Sequence, residues 1–216
     1  MIRHHRSRFP DPWSAPADAP LAWGGDLKPE TLLDAYRHGV FPWPAADGTI
    51  CWWSPDPRAL LPLDGIHVSR SLRRTLRSSR FRCTQDTAFA DVVAGCADRG
   101  PNGTWITPAM ARAYARLHEL GHAHSVEVWN ADGALVGGIY GVAAGAAFSG
   151  ESMFSRAADA SKVALVDLSD RLRAGGFRLL DVQLPTPHLV SMGAVAVPRS
   201  VFLRLLGVAT TVPAAL

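Results

Sequence analysis

Apolar side chains recur with helical spacing through the first half of this chain of 216 residues, in segments that open with a proline or a capping residue. A proline in the first turn and a glycine just past the last turn commonly mark the two ends of a helix. We therefore predict helices near residues 29–38, from Ser69 through Leu72 and Leu76, at 87–97, and at 107–121 with Thr107 as its cap.

The spacing changes to a period of two from residue 124, which is typical of strands because successive side chains point to opposite faces. Glycine-containing turns at residues 131–133 and 143–145 divide this region into hairpins. The predicted elements are strands at 124–130, 134–142, 146–154 and 177–184, a helix at 160–174, and a helix after the last strand. This order predicts an α+β fold with a mixed, mostly antiparallel sheet rather than a parallel doubly wound one.

The first sixty residues differ in composition from the rest of the chain. They are rich in proline and glycine, and five of the seven tryptophans fall by Trp53. Such residues favour rigid loops and short strands. We predict a small N-terminal lobe over residues 1–62 and a second domain over residues 63–216.

Composition limits the class of protein. Hydrophobic residues make up 48% of the chain and charged residues 19%, as in soluble globular proteins. The uncharged residues 133–150 have the length of a membrane helix, but six glycines divide them, so buried strands and no membrane contact are predicted. Cys51, Cys83 and Cys96 lack metal-ligand spacing, and the basic residues 1–6 lack the apolar core of a signal peptide. We expect reduced thiols, a cytoplasmic protein and no metal site, with a monomer as the default.

The net charge of +3 is unevenly distributed. Between Arg58 and Arg82 lie seven arginines and one acid, Asp64, so this segment carries +6 and the remainder of the chain −3. A concentrated basic segment suggests a polyanionic partner, and a solvated helix face is the alternative. The arginines of the predicted helix after Ser69 are candidate contacts for nucleic-acid phosphates: Arg70, Arg73, Arg74 and Arg77.

Glu151 follows the uncharged run directly. Burying an ionised carboxylate is costly unless a partner or a ligand compensates it. Glu151 is therefore either a core-edge residue paired with Arg156 or an anion in a pocket for an amine-bearing substrate. Strand alternation places it on one face with Ser149 and Met153, and Phe148 with Phe154 on the other, unless a bulge at the neighbouring glycine changes the parity.

Asp181 and Gln183 lie two residues apart on an otherwise apolar strand, so alternation points them to the same face. Buried polar groups need hydrogen-bond partners. Either Thr186 or His188 satisfies this pair, or the pair is catalytic and Asp181 orients Gln183 toward a substrate.

Tyr36, Trp43 and Trp105 are aromatic residues in or beside predicted loops and helix ends. Aromatics in such positions usually fill hydrophobic space. Near an arginine-rich face they can instead stack the bases of single-stranded RNA.

Short sequence blocks in a fixed order resemble the leucyl/phenylalanyl-tRNA–protein transferases of bacteria. The blocks run from about Leu21 to Leu203, and their ordered set is far more specific than any one of them. They include Trp23-Gly24-Gly25-Asp26-Leu27, Gly39-Val40-Phe41-Pro42-Trp43, Trp52-Trp53-Ser54-Pro55-Asp56-Pro57-Arg58, Thr104-Trp105-Ile106-Thr107-Pro108, Gly150-Glu151-Ser152-Met153-Phe154-Ser155-Arg156 and Asp181-Val182-Gln183.

This resemblance implies an enzyme that moves Leu or Phe, and Met less readily, from aminoacyl-tRNA to proteins with an N-terminal Arg or Lys. The modified proteins then enter the N-degron route of proteolysis. It also implies a second domain similar to the GCN5-related N-acetyltransferases, and no cofactor. Acetyl-CoA-dependent relatives bind pyrophosphate with a glycine-rich loop, whereas residues 155–160 here lack glycine, in agreement with a different donor.

The resemblance also assigns roles to individual residues. The expected contacts with the terminal adenosine of the tRNA are Tyr36, Trp43 and Trp105, and the expected lining of the amino-acid side-chain pocket is Ile139, Phe148 and Met153. The expected catalytic residues are Asp181, Gln183 and Glu151. We expect Gln183, fixed by Asp181, to orient the incoming amine and relay its proton, with Asp181 or a water sharing that proton. Glu151 would anchor an amine or the ribose hydroxyls.

Some positions depart from the family pattern. Ile139 replaces the usual Met or Leu, and Ser149 stands where Cys can occur, so the side-chain preference could differ. The segment 184–187 is rich in proline and would stiffen the loop after the catalytic strand.

Two other functions stay open on the residues alone. An acyl-CoA N-acyltransferase would explain the sheet but not the arginines. A non-catalytic RNA-binding module would explain the arginines and tryptophans but leaves Glu151, Asp181 and Gln183 without a purpose.

Overall fold

The computed structural model describes residues 7–100 and 103–216, so the basic segment at residues 1–6 lies outside it. A 3-10 turn at Pro12–Ser14 precedes the helices α1 (Pro29–Arg37), α2 (Arg70–Arg77), α3 (Phe89–Ala97), α4 (Pro108–Glu119), α5 (Ala160–Ala174), α6 (Pro187–Ser191) and α7 (Arg199–Ala209). The strands are β1 (Ala22–Trp23), β2 (Phe41–Pro42), β3 (Cys51–Trp53), β4 (Arg58–Leu60), β5 (Phe81–Gln85), β6 (Ala123–Asn130), β7 (Leu135–Ala144), β8 (Ala147–Ser155), β9 (Leu179–Gln183) and β10 (Val195–Val197).

The helices predicted from spacing and caps are confirmed at α1 to α5. The side chain of Ser69 accepts a hydrogen bond from the backbone N–H of Leu72 at 3.2 Å, and that of Thr107 accepts one from Met110 at 3.2 Å. Such bonds satisfy backbone donors that a helix leaves free at its first turn. Gly121, just past α4, has a φ of 77°, which a residue without a side chain adopts without strain. Local chemistry therefore sets these boundaries.

The large sheet has seven strands in the order β10-β4-β9-β8-β7-β6-β5. Every neighbouring pair is antiparallel except β8 and β9, which are parallel. A small antiparallel sheet, β1-β3-β2, lies in the N-terminal part of the chain. The predicted α+β class and the mixed, mostly antiparallel sheet are confirmed.

Strands β4, β5 and β10 were not predicted. They are short, and their partners lie far away in the sequence, so no local pattern marks them. Strand β4 precedes the boundary proposed near residue 62, yet it pairs with β9 on one side and β10 on the other.

Hydrophobic residues pack on both faces of the large sheet. On one face, α1, from the segment predicted to form an N-terminal lobe, shares a core with α3, α4 and Tyr140 of β7. On the other face, α5 and Leu72 of α2 pack against Ile139 and Phe148. The uncharged residues 133–150 contain all of β7 and the start of β8, as predicted, and most of the residues from 137 to 149 are buried.

The described part of the chain has neither a membrane-spanning helix nor a cluster of metal ligands. No helix there is long and apolar enough to cross a membrane. No group of three or more His, Cys, Asp or Glu side chains there converges as a metal-ligand set.

Candidate active site

Strands β8 and β9 separate where the candidate catalytic residues lie. They pair only as far as Ser149 and Asp181. Beyond that point β8 carries the bulge that Gly150 permits, with Glu151 as its extra residue. Strand β9 ends at Gln183, which has a φ of 56° in the left-handed region. A cavity of about 510 Å³ opens there, and Glu151 and Gln183 form part of its wall.

Asp181 lies inside the core, and both of its carboxylate oxygens carry hydrogen bonds. Oδ1 accepts from Nε of Arg58 at 2.8 Å and from the backbone N–H of Gln183 at 3.0 Å. Oδ2 accepts from Nη2 of Arg58 at 2.6 Å and from Oγ of Ser149 at 3.4 Å. The side chains of Arg58 and Asp181 are only 1% and 2% exposed. Counting Arg58 in a basic surface was therefore wrong, because its charge is neutralised within the core.

Gln183 connects the two candidate carboxylates. Its backbone N–H donates to Asp181, whereas its side-chain Nε2 donates to Oε1 of Glu151 at 3.0 Å. Asp181 thus orients Gln183 through the main chain, with no hydrogen bond to its amide group. Thr186, the alternative partner, instead caps α6 by accepting from the backbone N–H of Leu189 at 3.3 Å.

Glu151 is held by hydroxyl groups rather than by a cation. The hydroxyl of Tyr114 donates to Oε2 of Glu151 at 2.7 Å. The hydroxyl oxygens of Tyr114 and Tyr36 lie 2.8 Å apart. Because Tyr114 gives its only hydroxyl proton to Glu151, Tyr36 is the donor in this second bond. Arg156 lies instead beside Asp98, at 3.7 Å. The alternative in which Glu151 pairs with Arg156 is wrong.

Burial raises the pKa of Glu151 to about 7. The hydrogen bond from Tyr114 and the nearby hydroxyl of Tyr36 oppose this shift, the nearby negative charge of Asp181 adds to it, and Arg58 opposes it. The carboxyl group is surrounded by protein, while the residue as a whole keeps partial exposure because it lines the cavity. A carboxyl group that titrates near neutral pH suits proton transfer.

The three aromatics predicted to contact the adenosine are not equivalent. Trp43 and Trp105 line the cavity and stack on each other, with ring centroids 5.5 Å apart and an interplanar angle of 27°. The side chain of Trp43 is exposed. Tyr36 is buried behind the wall and reaches the cavity only through Tyr114 and Glu151.

Only two of the three residues predicted to line the side-chain pocket line the cavity. Ile139 and Met153 face each other across β7 and β8, and both line the cavity. Phe148 is fully buried in the core and does not line it. Phe148 and Phe154 were expected on one face of β8, but they belong to cores on opposite faces, because the bulge at Glu151 reverses the parity.

Three residues at the site escaped the sequence analysis. Arg58 was quoted in a sequence block but counted as surface charge. Tyr114 lies within the helix predicted at 107–121 but was not singled out, although a buried tyrosine hydroxyl needs a partner. Arg99 lines the cavity and donates to Oγ of Ser152 at 3.0 Å and to the carbonyl of Met153 at 3.1 Å. Nothing in the sequence near Arg99 identifies these partners, which lie more than fifty residues away.

The basic helix α2 has only Leu72 buried, in the core that it shares with α5, and exposes its arginines. Thr75 fixes it to the start of α5 by donating to Asp159 at 3.1 Å. A surface groove of about 560 Å³ is lined by Arg70, Arg73, Arg74, Arg77 and Ser78. Within the described residues, no carboxylate lies within 4 Å of these four guanidinium groups.

Two family models match consecutive parts of the chain. Residues 60–207 match the model described as leucyl/phenylalanyl-tRNA protein transferase, and residues 25–56 match the model for the N-terminal domain of the same proteins. This chain belongs to the leucyl/phenylalanyl-tRNA protein transferase family. The family and the enzyme class predicted from the ordered blocks, an acyltransferase, are confirmed. The two family models meet between residues 56 and 60, near the boundary proposed at residue 62.

Curated members of the leucyl/phenylalanyl-tRNA protein transferase family are similar over most of their length. The transferase from Stutzerimonas stutzeri is 57% identical over 199 residues, which cover 90% of this chain and 87% of that protein. The one from Aromatoleum aromaticum is 59% identical over 187 residues, covering 86% and 78%. Among solved structures, L-PGS from Bacillus licheniformis is 11% identical with a TM-score of 0.44, covering 77% of this chain and 82% of that one. A GCN5-related N-acetyltransferase from Kribbella flavida is 10% identical with a TM-score of 0.40, covering 78% and 60%.

Proposed function

We propose that this protein transfers leucine or phenylalanine, and methionine less readily, from aminoacyl-tRNA to proteins that begin with Arg or Lys. The modified proteins would then be degraded through the N-degron route. The enzyme acts as a cytoplasmic monomer and needs no cofactor, because the aminoacyl ester is already an activated donor.

One observation carries this proposal: the hydrogen-bonded pair of Gln183 and Glu151 lies in the wall of a cavity with two chemically different surfaces. The stacked indoles of Trp43 and Trp105 suit a nucleobase. Apolar side chains, Ile139 and Met153 among them, suit the side chain of Leu or Phe. A base, an apolar side chain and a reactive ester between them are the parts of an aminoacyl-adenosine.

The reaction exchanges an ester for an amide. The amine nitrogen of the acceptor attacks the ester carbonyl carbon and forms the C–N bond. The ester C–O bond then breaks, and the ribose oxygen leaves with the proton that the amine loses. An α-amine has a pKa of about 7.7–8.0, so a sizeable fraction is neutral at physiological pH and strong base catalysis is not required. Holding the amine and the ester in the reactive orientation can lower the activation barrier by on the order of 7–11 kcal/mol.

The contacts suggest separate roles for the three polar residues. Because Nε2 of Gln183 donates to Glu151, its oxygen Oε1 is left to accept a hydrogen bond from the attacking amine. Glu151 takes the proton and returns it to the leaving ribose oxygen, since its pKa of about 7 favours both transfers. Asp181 holds Gln183 in place. This departs from our expectations that Asp181 or a water shares the proton and that Glu151 only anchors an amine or the ribose hydroxyls, because the oxygens of Asp181 are already occupied.

The proposed function is tested by transfer of labelled leucine from leucyl-tRNA to a peptide that begins with Arg. A peptide of the same sequence that begins with Ala is the control, and an acyl-CoA donor is the competing substrate. We expect label on the Arg peptide only. Labelling from acyl-CoA alone would favour the N-acyltransferase, and RNA binding without transfer from either donor would favour the binding module.

Helix α2 is proposed to contact phosphates of the tRNA acceptor stem without reading its sequence. Changing Arg70, Arg73, Arg74 and Arg77 together to Gln should weaken the binding of leucyl-tRNA and phenylalanyl-tRNA by the same factor. The slope of log K against log salt should fall by about 1 for each phosphate contact that is lost. Fluorescence titration of the protein with labelled tRNA between low and moderate salt measures both quantities.

The matched control replaces Arg178 and Arg204, which are exposed arginines outside α2, with Gln. This control should keep the salt slope of the unchanged protein. A loss confined to one of the two tRNAs would contradict a sequence-independent phosphate contact.

A further inference from the structure

We infer that Arg58 is a positioning residue of the reaction: its guanidinium clamps Asp181, and Asp181 in turn holds the turn at Gln183 in its reactive geometry. The inference rests on the proposed function, in which Gln183 contacts the amine. Arg58 itself lies in the core and does not line the cavity.

The clamp uses most of the donors of Arg58. Nε and Nη2 bind the two oxygens of Asp181 in a fork at 2.8 and 2.6 Å, a geometry that fixes the plane of the carboxylate as well as its position. Nη1 donates to the carbonyl of Gly39 at 3.2 Å. The guanidinium carbon also lies 4.8 Å from the ring centroid of Phe41 and 4.4 Å from that of Phe202. A lysine has one ammonium group and cannot make the fork.

The residue that the clamp controls has an uncommon backbone conformation. Gln183 is not a glycine, yet its φ is 56°. Such a conformation persists only where the surroundings hold it. The backbone N–H of Gln183 points to Oδ1 of Asp181, the same oxygen that Nε of Arg58 binds. A shift of this carboxylate would therefore move the turn, and with it the amide group that lies 3.0 Å from Glu151.

Arg58 also connects this turn to the N-terminal lobe. Gly39 lies two residues past the end of α1 with a φ of 76°, and a Cβ there would come within 2.8 Å of the side chains of Phe202 and Leu203. Tyr36 and Trp43 stand on either side of Gly39 in the sequence. The Arg58 contact thus fixes the catalytic turn relative to the segment proposed to hold the tRNA end.

The test compares two buried arginines, each changed to lysine. Arg58→Lys keeps a positive charge beside Asp181 but loses the fork. Arg199→Lys is the matched control: Arg199 is also buried, and it donates to the backbone carbonyls of Ala15, Pro16 and Ser54 without contacting Asp181. Both proteins are assayed at a temperature at which circular dichroism shows them folded.

We expect Arg58→Lys to lower kcat roughly 10- to 100-fold with little change in the KM for leucyl-tRNA, because a displacement of about 1 Å at a reacting group has an effect of that size. Hydrogen exchange at the backbone N–H of Gln183, which donates to Asp181, should become faster. Arg199→Lys should lower the melting temperature but leave kcat and this exchange rate unchanged. The inference is overturned if Arg58→Lys retains full kcat, or if both variants lower kcat equally.

The exchange measurement separates the two proposals. If the unchanged protein does not transfer leucine but the Gln183 amide responds to Arg58→Lys as described, the proposed function fails and the clamp stands. If leucine transfer is normal and neither kcat nor exchange responds, the clamp fails and the proposed function stands.

Discussion

Replacing Gln183 with alanine is expected to lower kcat by roughly 100- to 1,000-fold, with little change in the KM for leucyl-tRNA. The amide donates to Glu151 at 3.0 Å and, in the proposed mechanism, accepts from the attacking amine. That second contact exists only as the amine approaches the ester, so its loss raises the barrier without weakening the binding of the donor. Single-turnover transfer from labelled leucyl-tRNA to a peptide beginning with Arg measures the effect.

Gln85 provides the control, since it is the only other glutamine in the sequence. It lies on β5, at the edge of the sheet, where its side chain contacts Asp86 and Arg171. Gln85→Ala should leave kcat unchanged. If Gln183→Ala weakens tRNA binding as much as it lowers turnover, the amide holds the donor and does not act on the amine.

Replacing Glu151 with glutamine is expected to lower kcat/KM by at least about 100-fold and to change its dependence on pH. Glu151 must be ionised to take a proton, so kcat/KM of the unchanged enzyme should rise as the pH increases through about 7. In the Glu151→Gln variant, kcat/KM should rise only with deprotonation of the acceptor's α-amine, whose pKa is about 7.7–8.0. Initial rates between pH 6 and 9, corrected for spontaneous hydrolysis of the ester, measure both profiles.

The same carboxyl group should make stability depend on pH. Its pKa is raised from 4.5 to about 7 in the folded protein, so the folded state binds this proton more tightly than the unfolded state does. The stabilising contribution is complete below pH 4.5 and is lost as the pH rises through 7. A shift of this size corresponds to about 3 kcal/mol in the free energy of unfolding.

Urea unfolding at about pH 5 and pH 8 measures this loss as a difference between the unchanged protein and Glu151→Gln. Histidines titrate in the same range, but they are present in both proteins and cancel in the comparison. Glu119, an exposed glutamate on α4, is the control, and Glu119→Gln should retain the pH dependence. An equal pH dependence in all three proteins would show that Glu151 titrates at its ordinary pKa.

Much of the fold could be predicted from the sequence because much of it is local. The cap at Ser69, the start of α4 at Thr107 and the end of that helix at Gly121 depend on residues within a few positions. The hairpins from β6 to β8 follow from alternation interrupted by glycine turns. Strands β4, β5 and β10 were missed because three to five residues acquire strand geometry only from a distant partner.

At the candidate site, too, the sequence predicted some features and missed others. The ordered blocks named Glu151, Gln183, Trp43 and Trp105, and all four line one cavity. Alternation along β8 failed at the bulge, since one extra residue reverses every side chain beyond it. Their roles in catalysis and tRNA binding stay predictions for the experiments above.

The sequence by itself determined the family, the local elements and six of the residues that line the cavity, because motifs, caps and periodicity depend on near neighbours. Only the tertiary structure decided which groups meet. Arg58 and Asp181 are 123 positions apart, and Tyr114 and Glu151 are 37 apart. Charge counts and alternation cannot reveal such pairs, because burial forces each polar group to find its partner across the whole fold. Glu151, Gln183 and Asp181 are thus set apart by what surrounds them in space: hydroxyls, a cavity and a buried guanidinium.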